Sequence, residues 1–184
     1  MKSVCVFLGS SAGNHPAYME ATAALGRELA RRGLTCVYGG SRTGLMKTLA
    51  DSVLGAGGEV VGVTVQLLKD KEEFHRGLTR LHVVPTMHER KNLMIELSDA
   101  FLALPGGIGT LDELFEVCTL NQLGFHAKPC GLLNVNGFFD PLRAMLVTAE
   151  REGFMKRPVH DALDVDADPA GLLDRVLRRI PSLE

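Results

Sequence analysis

Short apolar runs alternate along this chain with longer segments in which apolar residues recur at helical spacing. The apolar runs predict β-strands at residues 4–8, 34–38, 59–65, 81–84, 99–104 and 129–135. The periodic segments predict helices at about 15–32, 44–56, 87–97, 110–123, 138–152 and 169–179. This alternation predicts an α/β fold, with a doubly wound parallel sheet flanked by helices on both faces, in a single domain spanning residues 1–184.

Three of the predicted strands end in glycine-containing loops that lead into helices, at residues 9–13, 39–44 and 105–110. Because ligands bind at the carboxyl ends of the strands in an open parallel sheet, these loops predict one shared pocket. The residues expected to line it, around a phosphate or a base, include Gly9, Ser10, Gly39, Gly40 and Met87. The charged stretch 66–80 lacks clear periodicity and predicts a mobile connection, either a lid over the pocket or a solvated surface loop.

The composition argues against several classes of partner. A net charge of −2 and a pI near 6.3 show no basic excess, which predicts no nucleic-acid partner. No apolar run approaches the roughly 20 residues of a membrane span, so we expect no membrane partner either. The four cysteines are scattered through apolar segments, which predicts buried thiols in a protein of the reducing cytoplasm.

The glycine loops match neither of the common nucleotide signatures. None contains the full G-x-G-x-x-G fingerprint, and none ends in the Gly-Lys-Ser/Thr of a P-loop, which disfavours a tightly bound NAD and an ATPase cycle. The six histidines show no spacing that would bring two of them onto one helix face with a carboxylate, so no metal site is predicted.

The most informative segment, residues 104–113, reads Leu-Pro-Gly-Gly-Ile-Gly-Thr-Leu-Asp-Glu. Pro105 ends a buried strand, and the three glycines let the backbone approach a ligand without a Cβ in the way. The helix that follows aims unpaired N–H groups and the positive end of its dipole at the loop. The segment therefore predicts an anion site, with phosphate as the expected occupant.

Glu113 has two interpretations on spacing alone. Thr110 and Glu113 form the S/T-x-x-E pattern of a capping box, in which the glutamate reaches back to the N–H of the cap. Alternatively, the carboxylate faces the pocket, and Asp112 supplies the negative charge that the helix dipole favours.

A second informative segment, residues 87–91, reads Met-His-Glu-Arg-Lys. It begins the helix that precedes the strand of the glycine motif. Adjacent Arg90 and Lys91 are typical of a solvated helix face. Because this helix leads into the strand before the glycine motif, Arg90 could also stand at the rim of the same pocket, where its fork of donors suits a phosphate or ribose oxygens.

Together, the Pro-Gly-Gly-x-Gly-Thr-x-x-Glu motif at 105–113 and the Met-His-x-Arg-Lys motif at 87–91 resemble the signature of the LOG family, the cytokinin riboside 5′-monophosphate phosphoribohydrolases. The resemblance extends over nearly the whole chain, through segments at 9–11, 37–40, 44–46, 122–124, 128–129, 131–134 and 137–139. It implies a modified Rossmann fold that hydrolyses the N-glycosidic bond of a nucleoside 5′-monophosphate without a metal or redox cofactor. It also implies a homodimer.

By position, the family's catalytic arginine and glutamate fall on Arg90 and Glu113. The residues that match its substrate-binding positions are Glu72, Lys91, Gly107, Ile108, Gly109, Thr110, Leu111, Asp112 and Thr119. The resemblance leaves the substrate open between AMP and N6-modified adenine nucleotides, and the physiological role open between cytokinin activation and nucleotide salvage.

The chemistry agrees with this assignment, because a carboxylate beside the ribose stabilises the positive charge that builds up as the bond to the base breaks. Arg90 would either hold the phosphate or ribose, or ease charge build-up on the departing base. The second loop departs from the family pattern, and Arg42 and Lys47 are expected to crowd or recharge one wall of the pocket. The alternative function is a non-catalytic carrier of a nucleotide or of molybdenum cofactor.

Overall fold

A parallel β-sheet forms the centre of the molecule in the computed structural model, which describes residues 2–71, 74–155 and 163–180. Its seven strands are β1 (Ser3–Phe7), β2 (Thr35–Tyr38), β3 (Val60–Val65), β4 (Arg80–Val84), β5 (Ala100–Ala103), β6 (Cys130–Leu133) and β7 (Leu163–Asp166). Their order across the sheet is β4-β3-β2-β1-β5-β6-β7, and every neighbouring pair is parallel.

Helices cover both faces of this sheet, as the alternating pattern predicts. The described helices are α1 (Pro16–Arg31), α2 (Gly44–Gly55), α3 (Gln66–Lys71), α4 (Met87–Glu96), α5 (Ile108–Gln122), α6 (Asp140–Arg151) and α7 (Pro169–Arg178). Helices α1, α2 and α7 contribute to the hydrophobic core on one face, and α4, α5 and α6 to the core on the other. The predicted α/β fold with a doubly wound parallel sheet is confirmed.

Strand β1 shows why these apolar runs become central strands. Val4 and Val6 point into the core beneath α1 and α2, whereas Cys5 and Phe7 point into the core beneath α4 and α5. All four side chains are buried. A strand that is covered on both faces needs apolar residues at consecutive positions, and this produces the continuous runs seen in the sequence.

The strand order reverses between β1 and β5, which lie side by side in the sheet. Chain connections leave these two strands in opposite directions, so a crevice opens between the loops that follow them. Those loops are the first and third glycine loops of the sequence. The topology therefore brings both of them to one point at the carboxyl edge of the sheet.

Two elements differ from the pattern-based expectation. The stretch 66–80, expected to be an irregular connection, contains the short helix α3 and the start of β4. Strand β7 was not predicted, because its four residues alternate Leu and Val with two aspartates and resemble a polar segment. Residue Glu72, one of the expected substrate contacts, lies outside the described residues.

The cysteines agree with the prediction of reduced core thiols. Cys5, Cys36 and Cys130 are buried, Cys118 is half-buried, and all four are free. Among the described residues, no helix is both long enough and apolar enough to cross a membrane.

Helices α1 and α2 approach each other closely at Gly26, which provides a test of the packing. A Cβ at this position would lie 2.7 Å from Ser52 Cβ and 3.0 Å from Leu49 O. We therefore expect Gly26→Ala to lower the free energy of unfolding by about 1–3 kcal/mol in urea denaturation, because the helices must separate. Gly55→Ala is the matched control, since nothing lies within 4 Å of its added Cβ. It should leave stability unchanged or raise it by up to about 1 kcal/mol. Equal stability of the two variants would contradict this packing.

Candidate active site

The loop after β5 leads directly into α5, whose N-cap is Gly107. Gly107 has no side chain to cap the helix, so the first-turn N–H groups have no side-chain partner from the cap. Thr110 is buried within the first turn and packs beneath Gly106, where an added Cβ would lie 2.7 Å from the Thr110 Cβ. The helix thus begins two residues earlier than predicted, and Thr110 is not its cap.

Glu113 consequently does not complete a capping box. Its Oε1 accepts a hydrogen bond of 2.8 Å from Nη1 of Arg90, and the two side chains are only 12% and 8% exposed. A capping interaction of this type occurs instead at the start of α4. There Thr86 Oγ1 accepts a hydrogen bond from the Glu89 N–H at 3.2 Å and donates to Glu89 Oε1 at 3.0 Å.

Arg90 is held from three sides. Its Nε donates to the carbonyl of Val63, at the C-terminal half of β3, over 3.0 Å. Its Nη1 binds Glu113, and its Nη2 lies against Gly39, where any Cβ would overlap it. The glycine of the second loop is therefore needed to make room for the guanidinium. This set of contacts fixes the plane of the guanidinium group.

Burial dominates the electrostatics of Glu113 and raises the pKa of its carboxyl group above the ordinary value. The charge of Arg90 and its hydrogen bond act in the opposite direction on this pKa, and Lys91 does so more weakly. Asp112 raises the pKa further. Glu113 is thus a desolvated carboxyl group whose ionised form depends on the neighbouring arginine.

Arg90 and Glu113 open onto a cavity of about 330 Å³ at the carboxyl edge of the sheet. All three glycine loops contribute to its wall. Of the residues predicted from the sequence, those that line it are Gly9, Ser10, Gly39, Met87, Arg90, Gly107, Ile108, Gly109, Thr110 and Glu113. The remaining lining residues are Val6, Leu8, Met46 and Leu68, which sequence reasoning missed.

Of the missed lining residues Met46 and Leu68, only Met46 had a signal in the sequence that could have placed it at the cavity. Met46 belongs to the Gly-Leu-Met segment that resembles the family, so its motif pointed to it. Leu68 lies on α3, in the stretch expected to be irregular, and no periodicity indicated that it faces the cavity.

Five other predicted residues do not line this cavity. Gly40 lies near the side chains of Leu81 and Thr64 on the β3–β4 side. Lys91 forms ion pairs with Asp112 and Glu116 on the adjacent helix. Thr119 lies about three turns along α5, and its hydroxyl donates to the Phe115 carbonyl at 2.7 Å. The other predicted residues outside the lining are Leu111 and Asp112.

The two basic residues of the second loop and the start of α2 do not line the cavity wall. Lys47 is exposed and forms an ion pair with Asp51, one turn along α2. Neither Lys47 nor Arg42 is among the lining residues. The expected crowding of the wall by these two side chains is therefore not observed.

Close backbone contacts bring the loops together. The Gly9 N–H donates to the Pro105 carbonyl at 3.1 Å, which joins the first loop to the third. Gly44, with a φ of +52°, lies against the backbone of Ser10, and a Cβ would overlap it. A left-handed glycine is thus required where the second loop meets the first.

A second cavity of about 280 Å³ adjoins the first and shares Gly9, Ser10 and Gly107 with it. Its wall includes the rings of Tyr18 and Phe138, packed edge to face with their centroids 6.0 Å apart. In the ranges that the structure describes, no cluster of three or more His, Cys, Asp or Glu side chains could hold a metal ion.

Comparison with known proteins identifies the family to which the chain belongs. The family model described as "possible lysine decarboxylase" matches residues 46–176. A protein of Rhodococcoides fascians named cytokinin riboside 5′-monophosphate phosphoribohydrolase is 47% identical over 94% of this chain and 87% of its own length. The chain belongs to the LOG family. A LOG relative of the same name from Arabidopsis thaliana is 44% identical over 96% of this chain and 81% of its own length.

The fold is also shared by solved structures of proteins that are less similar to this chain in sequence than the LOG relatives are. The molybdenum cofactor carrier protein of Chlamydomonas reinhardtii superposes with a TM-score of 0.74 at 21% identity, covering 96% of each chain. The molybdenum cofactor binding protein of Rippkaea orientalis gives 0.73 at 20% identity, over 98% of this chain and 99% of its own. At this identity the likeness shows that the LOG chain shares their Rossmann-like fold.

The opposing effects on Glu113 provide a test. In Arg90→Met the carboxyl group loses its cationic partner while remaining buried, so its pKa should rise further above the ordinary value. The measurement is a ¹³C NMR titration of the Glu113 carboxyl carbon. Glu96→Gln, which removes an exposed charge from the same helix, is the control and should leave this titration unchanged. A lower pKa in Arg90→Met would show that Arg90 is not the partner that keeps Glu113 ionised.

Proposed function

We propose that this protein hydrolyses the N-glycosidic bond of nucleoside 5′-monophosphates, releasing the free base and ribose 5-phosphate. The substrates are AMP and its N6-modified derivatives. The observation that carries this proposal is the buried Arg90–Glu113 pair, which opens onto a cavity beside the N-terminus of α5. The names of the LOG relatives, at 44–47% identity, support the same reaction class.

The phosphate would occupy the loop between β5 and α5. The backbone amides of Ile108, Gly109 and Thr110 form the first turn of α5, where N–H groups lack intrahelical acceptors. The positive end of the helix dipole lies at the same place. A phosphate bound there needs no lysine, and it places the attached ribose within the cavity that Glu113 borders.

Glu113 would act on the ribose. As the bond between C1′ and the base breaks, positive charge builds up on C1′ and the ring oxygen, and a nearby carboxylate stabilises this transition state more than the ground state. The same carboxylate can orient a water molecule whose oxygen bonds to C1′. Hydrolysis is complete when the hydroxyl group remains on C1′ and the proton from water reaches the departing base.

This role requires the ionised form of Glu113. Burial raises its pKa, so the rate should fall as the pH decreases through that pKa, at a higher pH than for an exposed glutamate. Arg90 limits the loss because its charge favours the carboxylate. Arg90 also presents further N–H donors at the cavity, where they suit the phosphate or the ribose hydroxyls.

The base would occupy the part of the cavity formed by Leu8, Met46, Leu68 and Met87. These side chains are apolar, and methionines adapt to flat rings of differing substitution. The adjoining cavity beside Tyr18 provides room for an apolar substituent on the nucleotide. Both features support activity on modified adenine nucleotides as well as on AMP.

The carrier alternative has less support. The molybdenum cofactor proteins share the fold at 20–21% identity, which does not extend to function. Binding alone does not call for a desolvated carboxylate paired with a buried arginine, because such a pair is costly to bury. The pair is explained by a reaction in which charge develops next to it.

We also propose that residues 1–184 form a single domain, that the protein is cytoplasmic and that it is a homodimer. The free, mostly buried cysteines support a reducing compartment. An exposed apolar stripe on α5 supports self-association, since Ile108 and Phe115 recur at helical spacing and Leu123 follows at the C-cap. Thr119 lies on the same stripe. In an antiparallel pair of α5 helices it would approach the N-terminus of the other copy, where it could contact the nucleotide.

Two variants test the catalytic pair. Glu113→Gln and Arg90→Ala should each reduce base release from AMP by roughly 10²-fold or more, because each removes charge from the reacting centre. The measurement is chromatographic quantification of free base from AMP and from an N6-modified adenosine monophosphate. Glu96→Gln is the control and should retain full activity, since its carboxylate is exposed on α4.

Circular dichroism of each variant separates loss of the site from loss of the fold. If the wild-type protein released no base from either nucleotide, the proposed reaction would be refuted. If both variants retained activity, the reaction would stand and the residues would be misassigned.

A further pair of variants tests the dimer. Phe115→Asp places a charge in the centre of the α5 stripe and should convert the protein from dimer to monomer in analytical ultracentrifugation. Phe154→Asp is the matched control, because Phe154 is more exposed, at 85% against 41%, but lies beyond α6. A wild-type monomer, or dissociation by Phe154→Asp alone, would contradict an interface on α5.

A further inference from the structure

Lys91 lies behind the catalytic pair and outside the cavity in which the nucleotide would bind. It follows Arg90 on α4, but its ammonium group turns away from the lining of the 330 Å³ cavity. Instead it lies 2.8 Å from Glu116 Oε2 and 3.1 Å from Asp112 Oδ2, and its side chain is only 14% exposed. A lysine held in this way by two carboxylates is not free to bind a phosphate.

The contacts of Lys91 form a second brace between α4 and α5, beside the first. Arg90 joins α4 to α5 at Glu113, and Lys91 joins it at Asp112 and, one turn further, at Glu116. Lys91, Glu113 and Glu116 also border one narrow gap together, and Glu113 separates this gap from the larger cavity. Displacement of Lys91 would therefore be felt directly at the carboxylate of Glu113.

We infer that Lys91, anchored by Glu116, is a positioning residue that holds Glu113 in place and supplies a positive charge behind it, and that it does not contact the nucleotide. This inference rests on the proposed reaction for its kinetic consequences. Its structural content, that Lys91 and Glu116 set the surroundings of Glu113, is independent of which nucleotide is cleaved.

Lys91 donates hydrogen bonds to the two carboxylate oxygens of Asp112, at 3.4 and 3.1 Å, whereas its closest ion pair is with Glu116. The Glu116 carboxylate is closer to the ammonium group and is 24% exposed, compared with 55% for Asp112, so water screens the contact less. Pairing with Glu116 is also the largest of the effects that raise the pKa of Lys91. Lys91 therefore carries its charge throughout the pH range of an enzymatic assay.

The charges that face Glu113 come from three elements. Helix α4 contributes Arg90 and Lys91, and α5 contributes Asp112 and Glu116. Strand β1 contributes the thiol of Cys5, whose pKa is raised by burial first and by the charge of Glu113 second, so this thiol is neutral. Lys91 is thus one of two cations that oppose the effect of burial on Glu113, and Glu116 offsets part of its charge.

Removing the charge of Lys91 and removing the charge of Glu116 should therefore shift the pKa of Glu113 in opposite directions. Lys91→Met removes the cation and should move the acid limb of the kcat–pH profile to higher pH, which lowers the rate on that limb on the order of threefold to tenfold. Glu116→Gln removes the anion that offsets Lys91 and should move the limb to lower pH. Lys91→Arg keeps the charge and should restore the wild-type limb, and Glu96→Gln should not move it. In Lys91→Met, KM for AMP should stay within about twofold, since uniform binding is unchanged.

A titration independent of turnover completes the test. The ¹³C NMR titration of Glu113 should give the highest pKa in Lys91→Met, an intermediate one in the wild type and the lowest in Glu116→Gln, whether or not AMP is a substrate. This order together with no base release would refute the proposed reaction and leave the placement of Lys91 standing. A tenfold or larger rise in KM for Lys91→Met with an unmoved acid limb would overturn the inference and make Lys91 a nucleotide contact. Shifts of both variants in the same direction, as loss of packing alone would produce, would also overturn it.

Discussion

The buried contact between Arg90 and Glu113 is the interaction on which the rest of the site depends. Removing two charges from water is costly, and the cost is offset only when the geometry of the pair is good and the remaining donors are satisfied. Here the Val63 carbonyl takes one donor, and Gly39 leaves the space that the guanidinium occupies. The second glycine loop is therefore part of the support of the ion pair as much as of the wall of the cavity. Loss of either partner would leave an uncompensated charge in the interior.

The same contact creates a compromise between excluding water from Glu113 and keeping its carboxyl group ionised. A carboxylate is most effective beside a developing cation when water is excluded, but exclusion of water also favours its protonated form. Burial raises the pKa of Glu113, and the cations of α4 counteract part of this rise. The fold achieves this by placing α4 and α5 on the same face of the sheet. The carboxyl group of Glu113 is thus buried beside two cations that counteract part of the effect of burial.

Local patterns predicted most of the fold and much of the site, because both depend on short-range features. Runs of apolar residues marked the buried strands, and the strand–glycine–helix pattern at 104–113 marked the anion loop. Of the missed elements, α3 is six residues long and too short to show a helical period, and β7 lacks the continuous apolar run that marked the other strands, because two of its four residues are aspartates. The S/T-x-x-E pattern occurs at both Thr86 and Thr110, and only the tertiary structure shows that the first caps a helix while the second lies within one. The pairing of Arg90 with Glu113 spans 23 residues and has no local signature.

The placement of Lys91 shows why a matched motif does not assign a role to each of its residues. Successive residues on an α-helix point about 100° apart, so Arg90 and Lys91 leave α4 in different directions. Arg90 faces the cavity, and Lys91 reaches the carboxylates of α5 behind it. This adjacent basic pair thus divides into one residue that lines the cavity and one that pairs with carboxylates outside it.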